Sequence, residues 1–381
     1  MLTAEGCRNR RAKLWSRLDP QPDGVLLGEP RHLTYLTNFY ATPFTFRSQN
    51  APALAIVTPD RTTLVADSTQ RIYSEAAHVD EVVAPAWYRG RESAGDRYAL
   101  VIDAVVSQLS KVRGARIAVD GAVPAGVIDH LRRGGRTVDI VDVRPTIRDM
   151  ERQKVADEVE LMRRSIASGE AGFAAAVERL RPGMTELQAY AMIQQASVEA
   201  AGHAVLVYGD FVSGERTLEH GGPASQRVIQ AGDLFLLDFS VVVHGYRADF
   251  ANTFVVAGGR PSVGQAELAG YCLEAMRAGE RLLAPGARGR DIDAAVREAF
   301  AKRQVDEHFT HHTGHGLGLG HPDPPYLTPE SSDTLVAGDI VTLEPGLYVE
   351  GVGGMRFEHN YLITEDGFET LTHHALGLQG T

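Results

Sequence analysis

Cysteine is scarce in this chain. Two occur among 381 residues, Cys7 and Cys272, far apart in sequence. Two isolated thiols make no disulfide framework, and the expectation is a protein of the reducing cytoplasm. Positive charge is also short: 38 Lys and Arg face 49 Asp and Glu, for a net charge of -11. A surface biased that way does not track a phosphate backbone, so no nucleic-acid partner is expected. No window approaches the roughly 18 apolar residues of a membrane span, so no membrane partner is expected either. The stretch from Met1 to Arg8 lacks the apolar core of a signal peptide. Low-complexity segments are missing as well. What remains is 44% hydrophobic and 23% charged, enough for a large core in two or three domains.

Residues 1–150 read as an alternating α/β domain. Strands are predicted over 24–27, 53–57, 63–66, 116–120 and 138–141. Helices are predicted over 11–18, 96–110 and 124–133, the second with Leu100, Ile102, Val105, Val106 and Leu109 apolar. A loop over 40–50 carries Phe44, Phe46 and Arg47. The pattern changes at Pro145, and residues 151–381 form a second domain. Val159, Met162, Ile166, Gly169, Phe173 and Val177 are spaced as a helix. Arg181-Pro182-Gly183 ends it, Thr185 opens another, and Gly202 closes that one. A strand follows over 205–208. Helix, Pro-Gly, helix, strand recurs over 265–315, which hints at an internal duplication.

Leu234 to Val243 is apolar on both faces, then comes His244-Gly245 and a returning run from Asn252 to Val256. That is a hairpin with a buried first strand. A two-residue turn puts Asp238 opposite Ala251, with Asp249 two residues from Ala251 on the same face. Two like charges on a buried face need a cation between them or a raised pKa. Taken alone, the pair is equally two unrelated carboxylates on a solvated hairpin. His315 lies in Thr313-Gly314-His315-Gly316, where glycines let backbone and ligand approach closely. Glu344 ends an apolar strand before Pro345-Gly346. Glu358 follows Arg356 by two in a strand predicted to run from Met355 through Ile363, so both are expected on one face. Each has an ordinary reading by itself, as a solvated carboxylate or a satisfied imidazole. Together, four carboxylates and one imidazole on buried elements need about two divalent cations to stay ionised. An oxygen-rich set with one nitrogen suits manganese, cobalt, iron or zinc.

In order, Arg181-Pro182-Gly183-Met184-Thr185-Glu186, Gly232-Asp233 through Asp238, Gly245-Tyr246 with Asp249, Thr313-Gly314-His315-Gly316, Glu344-Pro345-Gly346 and Arg356-Phe357-Glu358 resemble the creatinase/prolidase group of "pita-bread" metallopeptidases, family M24. The Asp spacing of 11 (249 minus 238) and Glu spacing of 14 (358 minus 344) match as well. The resemblance implies an α/β (α+β) chain: a creatinase-like N-terminal α/β domain over 1–150, then a pita-bread catalytic domain over 151–381. It implies Asp238, Asp249, His315, Glu344 and Glu358 as ligands of two divalent metal ions, manganese first, with cobalt, zinc or iron as alternatives. Glu344 is also the implied proton shuttle, and His220, His311, His321 and Arg356 the other active-site residues. The implied activity is hydrolysis of the bond preceding proline in short peptides, as an Xaa-Pro dipeptidase or aminopeptidase. The implied assembly is a homodimer in which the loop with Phe44, Phe46 and Arg47 reaches toward a neighbouring active site.

Three positions depart from the family pattern. His321 comes one residue early, Ser240 stands where glycine is common, and His359 replaces the Asp that follows Glu358 in the family pattern. Two other functions stay open on this fold: a creatinase-like C–N hydrolase or lyase without metals, and a non-catalytic binding module.

Overall fold

Short apolar runs separated by turn residues build the first half of the chain into a sheet. The computed structural model describes residues 1–46, 52–92, 95–114, 116–133, 139–257 and 260–378. The chain divides into two units, Met1–Glu151 and Arg152–Thr381.

In the first unit, β1 (Gly24–Leu27), β2 (Ala53–Val57), β3 (Thr62–Ala66), β4 (Glu81–Val83), β5 (Arg116–Val119) and β6 (Asp139–Asp142) form one sheet. Their order is β4-β3-β2-β1-β5-β6. β1, β5 and β6 are parallel, and β2 is antiparallel to both its neighbours. Helices α1 (Ala4–Arg17), α2 (Pro30–Thr37), α3 (Arg71–Ser74), α4 (Arg97–Leu109), α5 (Ala125–Arg133) and α6 (Arg144–Arg152) accompany it. α1 begins well before the predicted 11–18, because Thr3 caps it: its hydroxyl accepts from Gly6 N–H at 3.0 Å. α4 buries Val101, Val105 and Leu109, one residue per turn, and leaves Leu100, Ile102 and Val106 only partly covered. Just after β5, buried Asp120 accepts from the N–H groups of Gly28 (2.9 Å), Glu29 (2.8 Å) and Ala122 (3.1 Å) and meets His32 Nδ1 at 3.0 Å. These contacts tie the ends of β1 and β5 to the start of α2. Burial alone would raise this carboxyl, but His32 and the backbone donors hold it below its ordinary value. Arg47 and Val138, both invoked by the sequence reading, lie outside the described residues.

The second unit opens with α7 (Ala156–Arg179) and α8 (Glu186–Ala201), followed by β7 (Leu206–Ser213), β8 (Leu234–Val243), β9 (Tyr246–Arg247) and β10 (Phe250–Val255). These strands make an antiparallel sheet in the order β10-β8-β7, with β9 on β8. Next come α9 (Val263–Glu280) and α10 (Gly289–Ala301), then β11 (Gly314–Gly316), β12 (Asp323–Leu327), β13 (Ile340–Leu343), β14 (Gly346–Val349), β15 (Gly353–Arg356), β16 (His359–Ile363) and β17 (Phe368–Thr370). A second sheet runs β12-β11-β13-β16-β17, and β14 pairs with β15 alone. Two helices leading into a strand thus occur twice, as the repeat in the sequence suggests.

α7 lies close on the first sheet because it carries glycines there. A Cβ at Gly169 would fall 2.4 Å from the Phe250 ring, and one at Gly172 would fall 2.6 Å from Ser197 Oγ. Phe173 then packs against Phe239, Phe250 and Phe254, with ring centroids 5.3 to 5.8 Å away. Val177, expected on the same face, is 44% exposed. α8 has the capping box its sequence promises: Thr185 Oγ1 accepts from Gln188 N–H, and Gln188 Oε1 accepts from Thr185 N–H.

Two strand expectations change. β7 continues past Tyr208 to Ser213. The single strand predicted from Met355 through Ile363 is two strands in different sheets, with Phe357 and Glu358 between them. The break arises because β10 holds this stretch. Thr253 Oγ1 bonds both the N–H and the carbonyl of Arg356, at 3.1 and 3.3 Å, and Glu358 N–H donates to Ala251 O at 2.9 Å. Simple alternation therefore does not place Arg356 and Glu358. Among the described residues no helix is long and apolar enough to cross a membrane.

Candidate metal centre

The hairpin register sets the first carboxylates. Asp238 pairs with Ala251, and Val243 pairs with Tyr246 across the turn. His244 and Gly245 both have positive φ, 50 and 86°, as a two-residue turn of this hand requires. Asp249 precedes β10, and its backbone is gripped by Asn360 of β16: Asp249 N–H donates to Asn360 Oδ1 at 3.3 Å, and Asn360 Nδ2 donates to Asp249 O. On the other edge of β8, Asp210 of β7 stands opposite Asp238. Gly209 permits that close pairing, since a Cβ there would sit 2.2 Å from Asp238 O.

The second sheet brings the remaining groups. Gly314 and Gly316 flank His315 where any Cβ would fall 2.1 Å from the carbonyls of Thr342 and Pro324. His315 Nδ1 donates to Gly316 O at 2.9 Å, which leaves Nε2 as the free ring nitrogen facing the site. That atom is 3.6 Å from Asp249 Oδ2 and 3.4 Å from Glu344 Oε1. Thr342 Oγ1 accepts from His315 N–H and donates to Glu344 Oε1, both at 3.1 Å, so one hydroxyl orients both residues. Glu358 is 1% exposed, and its Oε1 is buried without a hydrogen-bond partner. Three groups of donor atoms converge to within 4.8 Å of one another: Asp238 with Asp249 and Glu358, Asp249 with His315 and His321, and His312 with His315 and Glu344. All of these but Glu358 border a cavity of about 220 Å³ that Tyr208, Asp210 and Arg356 also line.

Electrostatics divides the carboxylates. Burial pushes Asp238 and Glu358 well above the carboxylate range, and the neighbouring negative charges push Glu358 further. Arg356 opposes this for Asp238, with Nε 2.9 Å from Asp238 Oδ2, an ion pair whose N–H points off the oxygen. Its Nη2 bonds Asp210 Oδ2 at 2.9 Å and the His220 carbonyl at 2.6 Å. Glu344 goes the other way. Burial would raise it, but the His312 hydrogen bond at 3.1 Å and the neighbouring imidazoles hold it well below its usual value.

The Metallopeptidase family M24 pattern matches residues 160–365, more than half the chain, and the Creatinase/Prolidase N-terminal domain matches residues 10–152. The chain belongs to metallopeptidase family M24. Among M24 relatives, it is 27% identical to an uncharacterized peptidase of Bacillus subtilis over 92% of this chain and 94% of that one. It is 28% identical to a Xaa-Pro dipeptidase of Pyrococcus horikoshii over 67% of this chain and 72% of the other. The solved Xaa-Pro dipeptidase of Bacillus anthracis superposes with a TM-score of 0.83 at 25% identity, over 98% of this chain and all (100%) of that one. The chain consists of a creatinase-type N-terminal domain followed in sequence by a domain with the pita-bread metallopeptidase fold.

Divalent cations are the group this M24 site fits. An unpartnered buried carboxylate oxygen on Glu358, and two acids pushed up by burial, are the marks of a missing positive charge. Of the other histidines named from the sequence, His321 lines the cavity, and His220 and His311 sit beside Tyr348. His321 Nε2 lies 2.6 Å from Asp249 Oδ2; burial works against its charge, but that carboxylate raises its pKa. His311 donates from Nδ1 to the His312 carbonyl at 2.8 Å and has Nε2 3.1 Å from the Tyr348 hydroxyl. Burial lowers its pKa to about 4 and keeps the Tyr348 phenol protonated, so Tyr348 donates to it. His220 has positive φ, 69°, bonds Thr310 Oγ1 and lies tilted over the Tyr348 ring, with centroids 4.2 Å apart. Its loop is anchored by buried Glu186, which accepts from the N–H groups of Ser213 and Ser225 and pairs with Arg216. Sequence reasoning missed Asp210, His312 and Tyr348. The His311-His312 doublet was a visible signal, whereas Asp210 was hidden by ending its strand too early.

Proposed function

We propose that this chain hydrolyses the peptide bond preceding proline in short peptides, as an Xaa-Pro dipeptidase or aminopeptidase. The observation that carries the reading is the convergence of Asp238, Asp249, His315, Glu344 and Glu358, with Glu358 Oε1 buried and unpartnered. Those five residues are the proposed holders of two divalent ions, manganese foremost, with cobalt, zinc or iron as alternatives. When bound, such ions supply a Lewis acid for the scissile carbonyl and an activated water. The chain's own groups do the rest. Glu344 is ionised at neutral pH and can take up a proton and pass it to the leaving nitrogen. His321 lines the cavity and His220 lies beside the Tyr348 ring, and these two are the proposed carbonyl-oxygen donors, while His311, with both ring nitrogens engaged, positions Tyr348. An acylated proline nitrogen has no hydrogen, so recognition rests on ring shape and on that oxygen. Arg356 holds Asp238 in place.

We also propose a cytoplasmic homodimer. Cys7 and Cys272 are both buried, as suits thiols kept reduced, and Phe44 and Phe46 are 44 and 99% exposed, which favours an interface there. Light scattering at micromolar concentration checks the assembly, and a monomer overturns it. The substrate test compares Xaa-Pro with Xaa-Ala dipeptides, and Xaa-Pro-Xaa tripeptides, after loading with manganese or cobalt. Selective Xaa-Pro turnover is expected. Equal rates on proline and alanine substrates remove the proline assignment, and no hydrolysis of either points to the C–N lyase or binding-module alternatives.

A further inference from the structure

The five residues of the proposed centre leave one inward ring nitrogen without a role. His312 Nε2 lies 3.1 Å from Glu344 Oε1, and His315 Nε2 lies 3.4 Å from the same oxygen. The three donors stand within 4.8 Å of one another. Two donors each about 2.1 Å from one ion are roughly 3 to 3.5 Å apart, so both separations are of the size a shared ion imposes. The His312 ring lines the cavity, and its side chain is 40% exposed, against 4 and 7% for His315 and Glu344. An ion held by all three would therefore still face the open side.

The chain on both sides of His312 is fixed by α10. Arg297 donates to the carbonyls of Phe309 and His311, at 3.3 and 2.8 Å. The same guanidinium pairs at 2.8 Å with buried Asp293, whose other oxygen accepts from Thr313 Oγ1 at 2.8 Å. A histidine clamped by its neighbours and aimed at a carboxylate and a second imidazole is built as a ligand is built, with the backbone immobilised before the donor is presented.

We propose that His312 is a sixth metal-holding residue, sharing an ion with His315 and Glu344. The proposal rests on the dinuclear reading of the site and adds a nitrogen donor to it. One position then offers two imidazoles and a carboxylate, while Asp238, Asp249 and Glu358 offer only oxygen. Nitrogen donors favour zinc, cobalt and iron over manganese, so the two positions differ in the metal they prefer. The competing role for His312 is a hydrogen bond to Glu344 and nothing more. Glutamine separates the two, because its amide N–H keeps that hydrogen bond while its oxygen replaces an imidazole poorly toward cobalt or zinc.

The test uses full-length metal-free protein, wild type and His312→Gln, with His312→Ala in parallel and circular dichroism to confirm folding. Cobalt(II) titration is followed by visible d–d absorption, and zinc affinity by competition with a chromogenic chelator. Wild type should take up two ions. His312→Gln should keep one at unchanged affinity and bind the other at least about 100-fold more weakly, beyond the loss typical of residues that only orient a ligand. Its cobalt bands should change, and its preference for zinc over manganese should fall. Wild-type affinities and bands in His312→Gln overturn the sixth-ligand assignment and leave the dinuclear reading standing. A wild-type chain that takes up no ion overturns both.

Discussion

Replacing Arg356 with methionine should destabilise the metal-free protein far more than the metal-loaded one. The guanidinium is 10% exposed and faces two carboxylates, Asp238 at 2.9 Å and Asp210 at 2.9 Å, which are 12 and 29% exposed. Methionine fills much of the volume but removes the charge, leaving those acids uncompensated beside Asp249 and Glu344. Breaking a buried pair from one side costs about 3–5 kcal/mol. In a unit of this size each kcal/mol moves the midpoint by about 2–4 °C, so chelator-treated Arg356→Met should melt roughly 6–20 °C below wild type. Bound cations would offset the Asp238 charge, and the loss should shrink to about 1–2 kcal/mol, the worth of the hydrogen bonds to Asp210 and the His220 carbonyl. Arg356→Lys keeps the charge without the fork and should fall between. Calorimetry of all three proteins, in chelator and in saturating manganese, gives the coupling directly. An equal drop with and without metal would refute the idea that Arg356 and the ions neutralise the same carboxylate.

Three further outcomes follow from the geometry. Glu344→Gln should fold normally and lose at least about a hundredfold in turnover; steady-state kinetics on the metal-loaded variant checks this, and near-normal turnover excludes Glu344 as the shuttle. Gly209→Ala would put a methyl 2.2 Å from the Asp238 carbonyl, at a φ of 150°. It should cost about 1–3 kcal/mol and weaken metal binding, and unchanged melting and titration would mean β7 and β8 do not approach so closely. Asp120 has a folded-state pKa below its unfolded value. Its stabilisation is therefore present above about pH 4 and is lost as the pH falls through the lower folded value. Asp120→Asn should start about 2 kcal/mol less stable at neutral pH and show a flatter decline in acid, measured by denaturant midpoints across the pH range.

The hairpin was legible because a two-residue turn leaves only one register: Asp238 opposite Ala251 follows from counting, and the structure has it. The helical pair α7 and α8 was legible from periodicity and from the Thr185 and Gly202 signals. The break at Phe357 and Glu358 was not, because no glycine or proline interrupts the stretch from Met355 to Ile363. A tertiary contact does, through Thr253 and the Ala251 carbonyl. Asp210 escaped for a related reason. Gly209 reads as the end of a strand, yet here it marks the point where two backbones touch. His312 lay in plain view beside His311, but adjacent residues in a loop carry no periodicity that says which of them faces inward.

The division of the proposed ligands between two successive repeats bears on biosynthesis. Asp238 and Asp249 leave the ribosome with the first helix pair and sheet, while His315, Glu344 and Glu358 arrive only with the second. A nascent chain thus presents two acids with no imidazole partner, a weak trap for any cation it meets. The full proposed ligand set exists only once Glu358 has emerged and its N–H has met the Ala251 carbonyl, so tight metal binding should require the completed second unit.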